Sequence, residues 1–594
     1  MRSFVLTLAA ALAPMAGVTA RESPPGSPPN VIVILADDQG WGDLSVHGNT
    51  NLSTPNVDSL ARDGALFERF YVCPVCSPTR AEFLTGRYHV RDGLHGVSTG
   101  GERLDLDVKT IADAFKAAGY ATGAFGKWHN GSQYPYHPNG RGFDEYYGFT
   151  SGHWGNYFNP PLEHNGRPVT GNGYITDDLT DHALAFLERH RDRPVFCYLP
   201  FNTPHSPMQV PDPYWDKFKD AEIRLRHHGR GGTEDLSFTR AALAMCENID
   251  FNVGRVLKRL DELKLAENTI VLYFSDNGPN SWRWNGGMRG RKGSTDEGGV
   301  RAPLLVRWPG HIKPGTRIGA IAGAIDLLST LCALCGVRPV GDKPLDGMSL
   351  APLLVPGLIR GPWPDRMIFS HWDGNVSVRT QQYRLDAAGR LYDMTADPGQ
   401  EHVVTNDQPG IAKRLTEAVA RWKGEVLSEL PKIDDRPFPV GYRELPITTL
   451  PARDGVPHGR VRRSASAPNC SYFTHWTSPD DSITWKVEVA TAGRYEAIIN
   501  YTCPAADVGS VIELRGSGGS ASVTVSESND PPLRGAEHDR VRRAGESYVK
   551  DFKPLRMGVL TLERGRGTLT LRAVRVPGRQ VMDVRSVVLT LLNE

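Results

Sequence analysis

The chain has 594 residues, enough for two or three domains and a sizeable hydrophobic core. Its 68 Lys and Arg residues balance 67 Asp and Glu residues, so the formal net charge of +1 gives no electrostatic reason to expect a nucleic-acid partner. Eight cysteines in so long a chain do not form a disulfide scaffold. Function must therefore be read from local groups of residues.

The first twenty residues have the pattern of a secretory signal. Arg2 precedes an apolar run over 4–16, and the small residues of "VTA" end at Ala20. The alternative, a membrane anchor, is disfavoured because the run is too short to span a bilayer and contains Pro14. No later stretch of the sequence is apolar enough for a membrane helix. We expect removal of residues 1–20, a secreted or periplasmic protein, and no integral membrane segment.

Residues 30–430 repeat a helical pattern followed by a buried strand. The run "NVIVILADDQGWGD" begins at Asn30, and the strands in "YATGAFGKWH", "PVFCYLPFNTPHSP" and "TIVLYFSDNG" each follow a helical stretch. Continuous apolar runs of this length are typical of strands buried on both faces. The repeat predicts an α/β domain with a large mixed, mainly parallel sheet flanked by helices.

The pattern changes towards the C-terminus. From about residue 371, short strands and one helix predict a small α+β lobe that completes the first domain. A Pro-rich stretch over 431–457 predicts a structureless linker. Residues 458–594 contain short alternating strands with Gly, Asp and Asn turns, which predict a separate β-sandwich. Within it, Cys470 and Cys503 are candidates for a disulfide, as export would permit.

Polar residues follow the predicted strands at the points where the strands end. Ligands of open α/β sheets bind outside the carboxyl ends of the strands, so one shared site is expected. Asp37, Asp38, Asp276 and Asn277 offer three carboxylates and one amide oxygen. This set suits Ca²⁺ or Mg²⁺ better than Zn²⁺, although either pair alone is equally well explained by turn capping.

Basic side chains accompany this candidate cation site. They are Arg80, Lys127, His129, His205, Arg291 and Lys292. Together with a cation, these groups would bind a tetrahedral oxyanion and stabilise charge that develops on it. Taken singly, each is as well explained as a surface charge or a structural histidine.

The stretch "CPVCSPTRAEFLTGR" brings a cysteine to a predicted helix start. Pro78 and the residues after it indicate that a helix begins next to Cys76. The positive end of the helix dipole would favour an anion there, so we expect an activated thiolate at residue 76.

Several motifs together resemble one family. "CSPTR" is similar to the Cys-x-Pro-x-Arg signature of the type I, formylglycine-dependent, arylsulfatase-like sulfatases, and "LTGR" continues it. "ADDQGWGD", "GKWH", "TPHSP", "SDNG" and "RGRKGSTDEGGVRAP" occur in that family's order, so the resemblance covers about residues 30–425. It implies the alkaline-phosphatase-like fold and the hydrolysis of sulfate esters.

The resemblance also implies a chemistry for residue 76. A maturation system would oxidise Cys76 to formylglycine, whose hydrate attacks sulfur in line with the leaving ester oxygen. The covalent sulfate would then depart as the remaining hydroxyl collapses the hemiacetal, a step that needs only a base.

Roles for the other site residues come from the same resemblance. Asp37, Asp38, Asp276 and Asn277 would hold the metal together with residue 76; in such enzymes the metal is usually calcium, with magnesium as the alternative. Arg80 and Lys127 would support the formylglycine hydrate. His129 would be the base for the collapse of the hemiacetal. Lys292 and His205 would bind the sulfate and assist the leaving oxygen.

Cys73 is a departure, because the family signature does not require it. It creates a Cys-x-x-Cys pair with Cys76, for which a disulfide or a redox function is the rival interpretation. No thioredoxin-like context surrounds the pair, and that interpretation leaves the Pro-x-Arg unexplained.

Aromatic residues suggest a carbohydrate substrate. The stretch "FGKWHNGSQYPYHPNGRGFDEYYGFTSGHWGNYFNP" and the later "NSWRWNGGMRGRKG" combine aromatic faces with amide and imidazole donors, as a sugar ring requires. Core packing is the alternative for individual rings.

The segment "DSITWKVEVATAGRYEAIINYTC" resembles galactose-binding-like modules. The resemblance implies that the C-terminal region binds glycan; the alternative is that it only packs against the first domain.

Two other functions compete with a glycan sulfatase. A phosphomonoesterase or phosphodiesterase of the same superfamily would use a similar site, but with a Ser or Thr nucleophile and often two zinc ions. An inactive protein that binds sulfated glycans is the second alternative, although every expected catalytic position is filled.

Overall fold

The computed structural model describes residues 27–228, 231–355, 363–431 and 433–592. The predicted secretory signal at 1–20 lies outside these residues. Within them, no helix is both long and apolar enough to cross a membrane.

A central sheet organises the N-terminal half of the described chain. Its ten strands are β1 Asn30–Ala36, β2 Ala65–Tyr71, β3 Ala121–Lys127, β4 Glu145–Phe149, β5 Pro161–His164, β6 Arg167–Thr170, β7 Val195–Pro200, β8 Thr269–Ser275, β9 Arg301–Arg307 and β10 Thr316–Gly323. They lie in the order β10-β2-β9-β8-β1-β7-β3-β4-β5-β6. The central strands from β8 to β4 pair in parallel, whereas β9, β5 and β6 pair antiparallel with their neighbours. The predicted α/β fold with a mixed, mainly parallel sheet is confirmed.

Helices cover both faces of this sheet. The helices of the described chain are α1 Pro55–Arg62, α2 Cys76–Thr85, α3 Ile111–Ala117, α4 Ile175–Arg189, α5 Asp212–Phe218, α6 Leu236–Glu262, α7 Glu297–Val300, α8 Leu327–Cys335, α9 Ala351–Leu354 and α10 Pro409–Glu425. Alternate residues of β1 enter two separate cores: Ile32 and Ile34 pack in the core that includes α4 and α6, and Val31 and Val33 in the core that includes α2, α3 and α8. This double burial explains why the strand reads as a continuous apolar run.

A second, antiparallel sheet follows. Its strands are β11 Ile368–Trp372, β12 Asn375–Arg379, β13 Tyr383–Leu385 and β14 Leu391–Asp393. Helix α10 packs its apolar side on this sheet, with Leu415 buried against Val378 and Leu385.

The C-terminal residues form two further sheets. Their strands are β15 Phe438–Val440, β16 Ile447–Pro451, β17 Val456–His458, β18 Arg462–Arg463, β19 Phe473–Thr474, β20 Ser482–Val489, β21 Gly493–Thr502, β22 Val511–Gly516, β23 Gly519–Thr524, β24 Lys553–Leu562, β25 Gly565–Arg575 and β26 Asp583–Leu591. One sheet has the order β15-β20-β25-β22-β23 with β17 beside β20, and the other has the order β18-β19-β26-β21-β24 with β16 beside β26. Trp485 of the first sheet and Tyr495 of the second are buried in one shared core.

One expectation about this region was wrong, and one open question is answered. The stretch 431–457, expected to be a structureless linker, contributes β15, β16 and β17, which pair with β20 and β26. Pro439, Pro451 and Pro457 lie on strands with a neighbour on one side only, where a missing amide donor is tolerated. Cys470 and Cys503 are both free thiols, each engaged with a different backbone carbonyl, of His153 and Val581 respectively.

Candidate active site

Two adjacent strands bring four polar residues together. In the parallel ladder Ala36 of β1 lies opposite Ser275 of β8, so Asp37 and Asp38 leave the sheet beside Asp276 and Asn277. The backbone amide of Asp38 donates to Oδ1 of Asp276 at 3.1 Å, and Nδ2 of Asn277 donates to Oδ1 of Asp38 at 2.8 Å. The strand register therefore builds the predicted oxygen-rich group.

Helix α2 delivers residue 76 to this group. Cys76 is the first residue of the helix, and all ten residues of the helix are buried. The hydroxyl of Thr79 donates to the carbonyl of Asp276 at 2.6 Å, and that of Ser77 donates to the carbonyl of His129 at 2.9 Å. Ligand atoms of Asp37, Cys76 and Asp276 lie within 4.8 Å of one another.

Two buried basic side chains form ion pairs with the carboxylates of this group. Nε and Nη2 of Arg80 donate to Oδ2 of Asp276 at 3.1 and 2.8 Å, and its Nη1 donates to the carbonyl of Lys127 at 2.7 Å. Nζ of Lys127 donates to Oδ2 of Asp37 at 2.6 Å. Both side chains are fully buried, so each is fixed in a single geometry.

Lys292 and His205 approach the same group from a more open side. Nζ of Lys292 is 2.6 Å from Oδ1 of Asp38, and Nε2 of His205 is 3.6 Å from Oδ2. The Lys292 side chain is 23% exposed, unlike Arg80 and Lys127. Burial opposes ionisation of Asp38, but Lys292, His205 and Lys127 outweigh it and hold the pKa of Asp38 below its ordinary value. Arg291, which the sequence grouped with these residues, lies over the ring of Trp282.

Two oxygen atoms of the group are left without hydrogen bonds. Oδ1 of Asp37 and Oδ1 of Asn277 are buried and have no hydrogen-bond partner among the described residues. Buried oxygens are rarely left unsatisfied, because the desolvation penalty is large. Three carboxylates with an amide oxygen are the donors of a hard cation such as Ca²⁺ or Mg²⁺. The residues present therefore fit a divalent metal.

The surroundings of residue 76 do not favour the expected thiolate. Burial raises the pKa of the Cys76 thiol, and the neighbouring Lys127 and Lys292 offset this only in part. In the metal-free site, burial therefore favours the protonated thiol of an unmodified Cys76, which is the weaker nucleophile. Cys73 and Cys76 are both free, so the rival disulfide is not formed.

His129 has one nitrogen available for proton transfer. Its Nε2 is 2.7 Å from the carbonyl of Val97, which can only accept, so the proton of the neutral ring lies on Nε2. Nδ1 is buried and has no partner within the described chain. Burial and the Lys127 ammonium lower the pKa of His129 well below its ordinary value, so the ring is neutral.

Residues that the sequence did not single out lie beside these groups. Nδ2 of Asn469, from the C-terminal sheets, donates to Nδ1 of His153 at 3.3 Å, and the His153 ring stacks on that of His205 with centroids 6.0 Å apart. A Cβ atom at Gly152 would lie 2.5 Å from Nε2 of His129 and 2.6 Å from Nδ2 of Asn469, so any larger residue would displace these side chains. From the same region, Glu546 accepts a hydrogen bond from Ser206 at 2.5 Å.

Most of the aromatic residues predicted to face a sugar pack in the core instead. Trp128, Phe143 and Tyr146 are buried among strands and helices of the central sheet. Tyr134 and Trp154 are different, because they line a cavity between the loop 148–154 and the C-terminal sheets. The spacing of residues in the sequence does not distinguish the aromatic residues of the core from those that line the cavity.

Comparisons with known proteins decide the family. The sulfatase family model matches residues 29–337. The chain belongs to the sulfatase family. Human N-acetylgalactosamine-6-sulfatase is 33% identical over 388 residues, which cover 59% of this chain and 70% of the relative. Human arylsulfatase A is 34% identical over 441 residues, covering 67% and 80% respectively.

A solved structure agrees with this assignment. Ps i-CgsB, crystallised in complex with k-i-k-neocarrahexaose, superposes with a TM-score of 0.61 and 30% identity, covering 67% of this chain and 94% of that one. The resemblance seen in the sequence is confirmed, and this sulfatase is a sulfuric ester hydrolase.

Proposed function

We propose that this sulfatase hydrolyses sulfate esters of a carbohydrate, with residue 76 as formylglycine and one divalent cation, calcium in preference to magnesium. The proposal rests on two buried oxygens, Oδ1 of Asp37 and Oδ1 of Asn277, that have no hydrogen-bond partner in the described structure. They lie near the N-terminus of helix α2, where Cys76 is the first residue. A cation would satisfy both, and the residues that would hold it are Asp37, Asp38, Asp276, Asn277 and residue 76. Bound there, the cation supplies positive charge for sulfate oxygens.

The environment of residue 76 favours a modified side chain. Burial raises the pKa of the Cys76 thiol, which disfavours the thiolate as the nucleophile. Formylglycine supplies a hydrated aldehyde that attacks sulfur and later releases sulfate without a second attack at sulfur. This assignment requires a maturation system in the host.

The surrounding side chains divide into two groups by burial. Arg80 and Lys127 are fully enclosed and hold Asp276 and Asp37 in place, so we assign them to the support of residue 76. Lys292 is partly exposed beside His205, so we assign these two to the sulfate and the leaving oxygen. The bare Nδ1 of His129 is suited to remove the proton that accompanies sulfate release.

The C-terminal sheets support a carbohydrate as the substrate. Asn469 reaches the His153–His205 pair, and its Oδ1 is buried without a partner in the described structure. A sugar hydroxyl is a suitable donor to that oxygen. The human relative is named for N-acetylgalactosamine, and Ps i-CgsB was solved with a neocarrahexaose, which supports the same substrate class.

We further propose a function for each part of the chain. Residues 30–430 would form the catalytic unit, and 458–594 would form a carbohydrate-binding β-sandwich together with the strands of 431–457 that pair with it. The signal pattern over 1–20 supports secretion or a periplasmic location.

The test is turnover on a matched panel of substrates. Protein made in its native host is assayed with carbohydrate sulfates, an aryl sulfate and the corresponding phosphate esters, before and after chelation of metal. We expect sulfate release from one or more of the sugars, loss of it on chelation, recovery with calcium, and no phosphate release. Phosphate release alone would favour the phosphatase alternative, and binding without turnover would favour the inactive glycan-binding protein.

A further inference from the structure

Cys73, Glu82 and His89 form a buried cluster that the sulfatase chemistry does not use. Cys73 precedes helix α2, Glu82 lies within it, and His89 follows it. Their donor atoms converge: Nδ1 of His89 is 2.9 Å from Oε1 of Glu82 and 3.7 Å from Sγ of Cys73. All three donor atoms lie within 4.8 Å of one another, in a group separate from Asp37, Cys76 and Asp276.

These separations are close to those of ligands around one zinc ion. With Zn–S of about 2.3 Å and Zn–N of about 2.0 Å in a tetrahedral arrangement, S and N lie about 3.5 Å apart, and N and O about 3.4 Å. The observed separation of S and N is about 0.2 Å longer than this value, and that of N and O is about 0.5 Å shorter. A thiolate, an imidazole and a carboxylate suit zinc and not calcium.

The orientation of the His89 ring also fits a metal ligand. Its Nε2 lies 3.3 Å from Nδ1 of His371, on strand β11, and the two rings stack with centroids 5.4 Å apart. Metal-bound histidines commonly have their second nitrogen engaged in this way, which fixes the tautomer and the ring plane. Nδ1 of His89 is thereby presented to Glu82 and Cys73.

We propose that Cys73, Glu82 and His89 bind one zinc ion, with water as the fourth ligand. The ion joins the segment before the nucleophile, helix α2 and the turn after it, and through His371 it braces them against the antiparallel sheet of β11–β14. This site is distinct from the hard-cation site and does not depend on the sulfatase reaction.

Protonation in the metal-free cluster is consistent with this site. Burial raises the pKa of Cys73 well above its ordinary value and that of Glu82 to about 8, while it lowers the pKa of His89 to about 3. The imidazole is therefore neutral, as a ligand must be.

Cobalt(II) and zinc binding to the full chain tests the proposal. In a Cys76→Ala background, which removes the nearest other thiol, the protein is stripped of metal and titrated in excess calcium to fill the hard-cation site. We expect one zinc retained per chain after dialysis, and a thiolate-to-cobalt charge-transfer band that saturates at one equivalent.

Variants in the same background assign the ligands. Cys73→Ser should abolish the band and the retained zinc, and Cys470→Ser, which removes a different buried thiol, should change neither. Glu82→Gln, which keeps the side-chain size, should weaken zinc retention at least tenfold even if Cys73→Ser fails to fold. No retained zinc and no band in the parent, or an undiminished band in Cys73→Ser, would overturn the proposal and leave a hydrogen-bonded cluster.

Discussion

Replacing Lys292 with alanine should separate catalysis from metal binding. Its Nζ is 2.6 Å from Oδ1 of Asp38, yet the side chain is partly exposed, so it can also reach a bound sulfate ester. Asp38 retains the amide donor of Asn277 when Lys292 is lost. The metal ligands should therefore stay in place while one positive charge disappears from the reacting sulfate.

The size of the effect follows from the number of donors removed. One preorganised donor to developing charge in a water-excluded site contributes about 3–4 kcal/mol to the transition state, or about 10²–10³ in kcat. We expect Lys292→Ala to lose that factor in kcat on an aryl sulfate, with metal content unchanged. Lys313→Ala, which removes an exposed lysine elsewhere on the same domain, is the matched control and should match the parent.

Two results would contradict a direct role of Lys292 in stabilising the reacting sulfate. A fall in kcat of less than tenfold would show that Lys292 does not contact the charge that develops. A parallel loss of metal and activity, with activity restored by excess calcium, would show that Lys292 acts only by holding Asp38.

Three further predictions address other parts of the structure. Asp276→Ala should abolish both metal retention and turnover, and full activity with bound metal in that variant would contradict the assigned site. Asn469→Ala should raise KM for a carbohydrate sulfate about tenfold, the value of one hydrogen bond, with aryl sulfate kinetics unchanged; equal losses on both substrates would indicate that Asn469 only positions His153. Burial raises the pKa of Glu82 from 4.5 to about 8, so between these values the folded state binds more protons than the unfolded state, and metal-free protein should lose stability as pH rises. Melting temperatures at pH 5 and pH 8 should fall less in Glu82→Gln than in the parent, and identical shifts would rule out the buried carboxyl as the cause.

The central sheet was predictable because its sequence signal is direct. Strands β1 and β8 are buried on both faces, so they read as unbroken apolar runs, and parallel pairing places their polar ends together. The positions of Asp37 and Asp276 follow from that pairing. The family motifs gave the remaining side chains of the site.

Other features could not be read in this way. The prolines of 431–457 suggested a linker, because sequence does not show that a strand lies at an edge, where proline is tolerated. The helix dipole suggested an activated thiolate, but the burial that raises the pKa of Cys76 is a property of the folded site. Asn469 lies 316 residues after His153, so only the packing of the C-terminal sheets brings them together.

The mass of the tryptic peptide "FYVCPVCSPTR", residues 70–80, shows directly whether residue 76 is formylglycine. The peptide is taken from active protein made in its native host. We expect an aldehyde at residue 76 that a hydrazine traps, an unmodified thiol at Cys73, and loss of both the aldehyde and turnover in Cys76→Ala. Full turnover by protein whose residue 76 remains a thiol would contradict the formylglycine assignment.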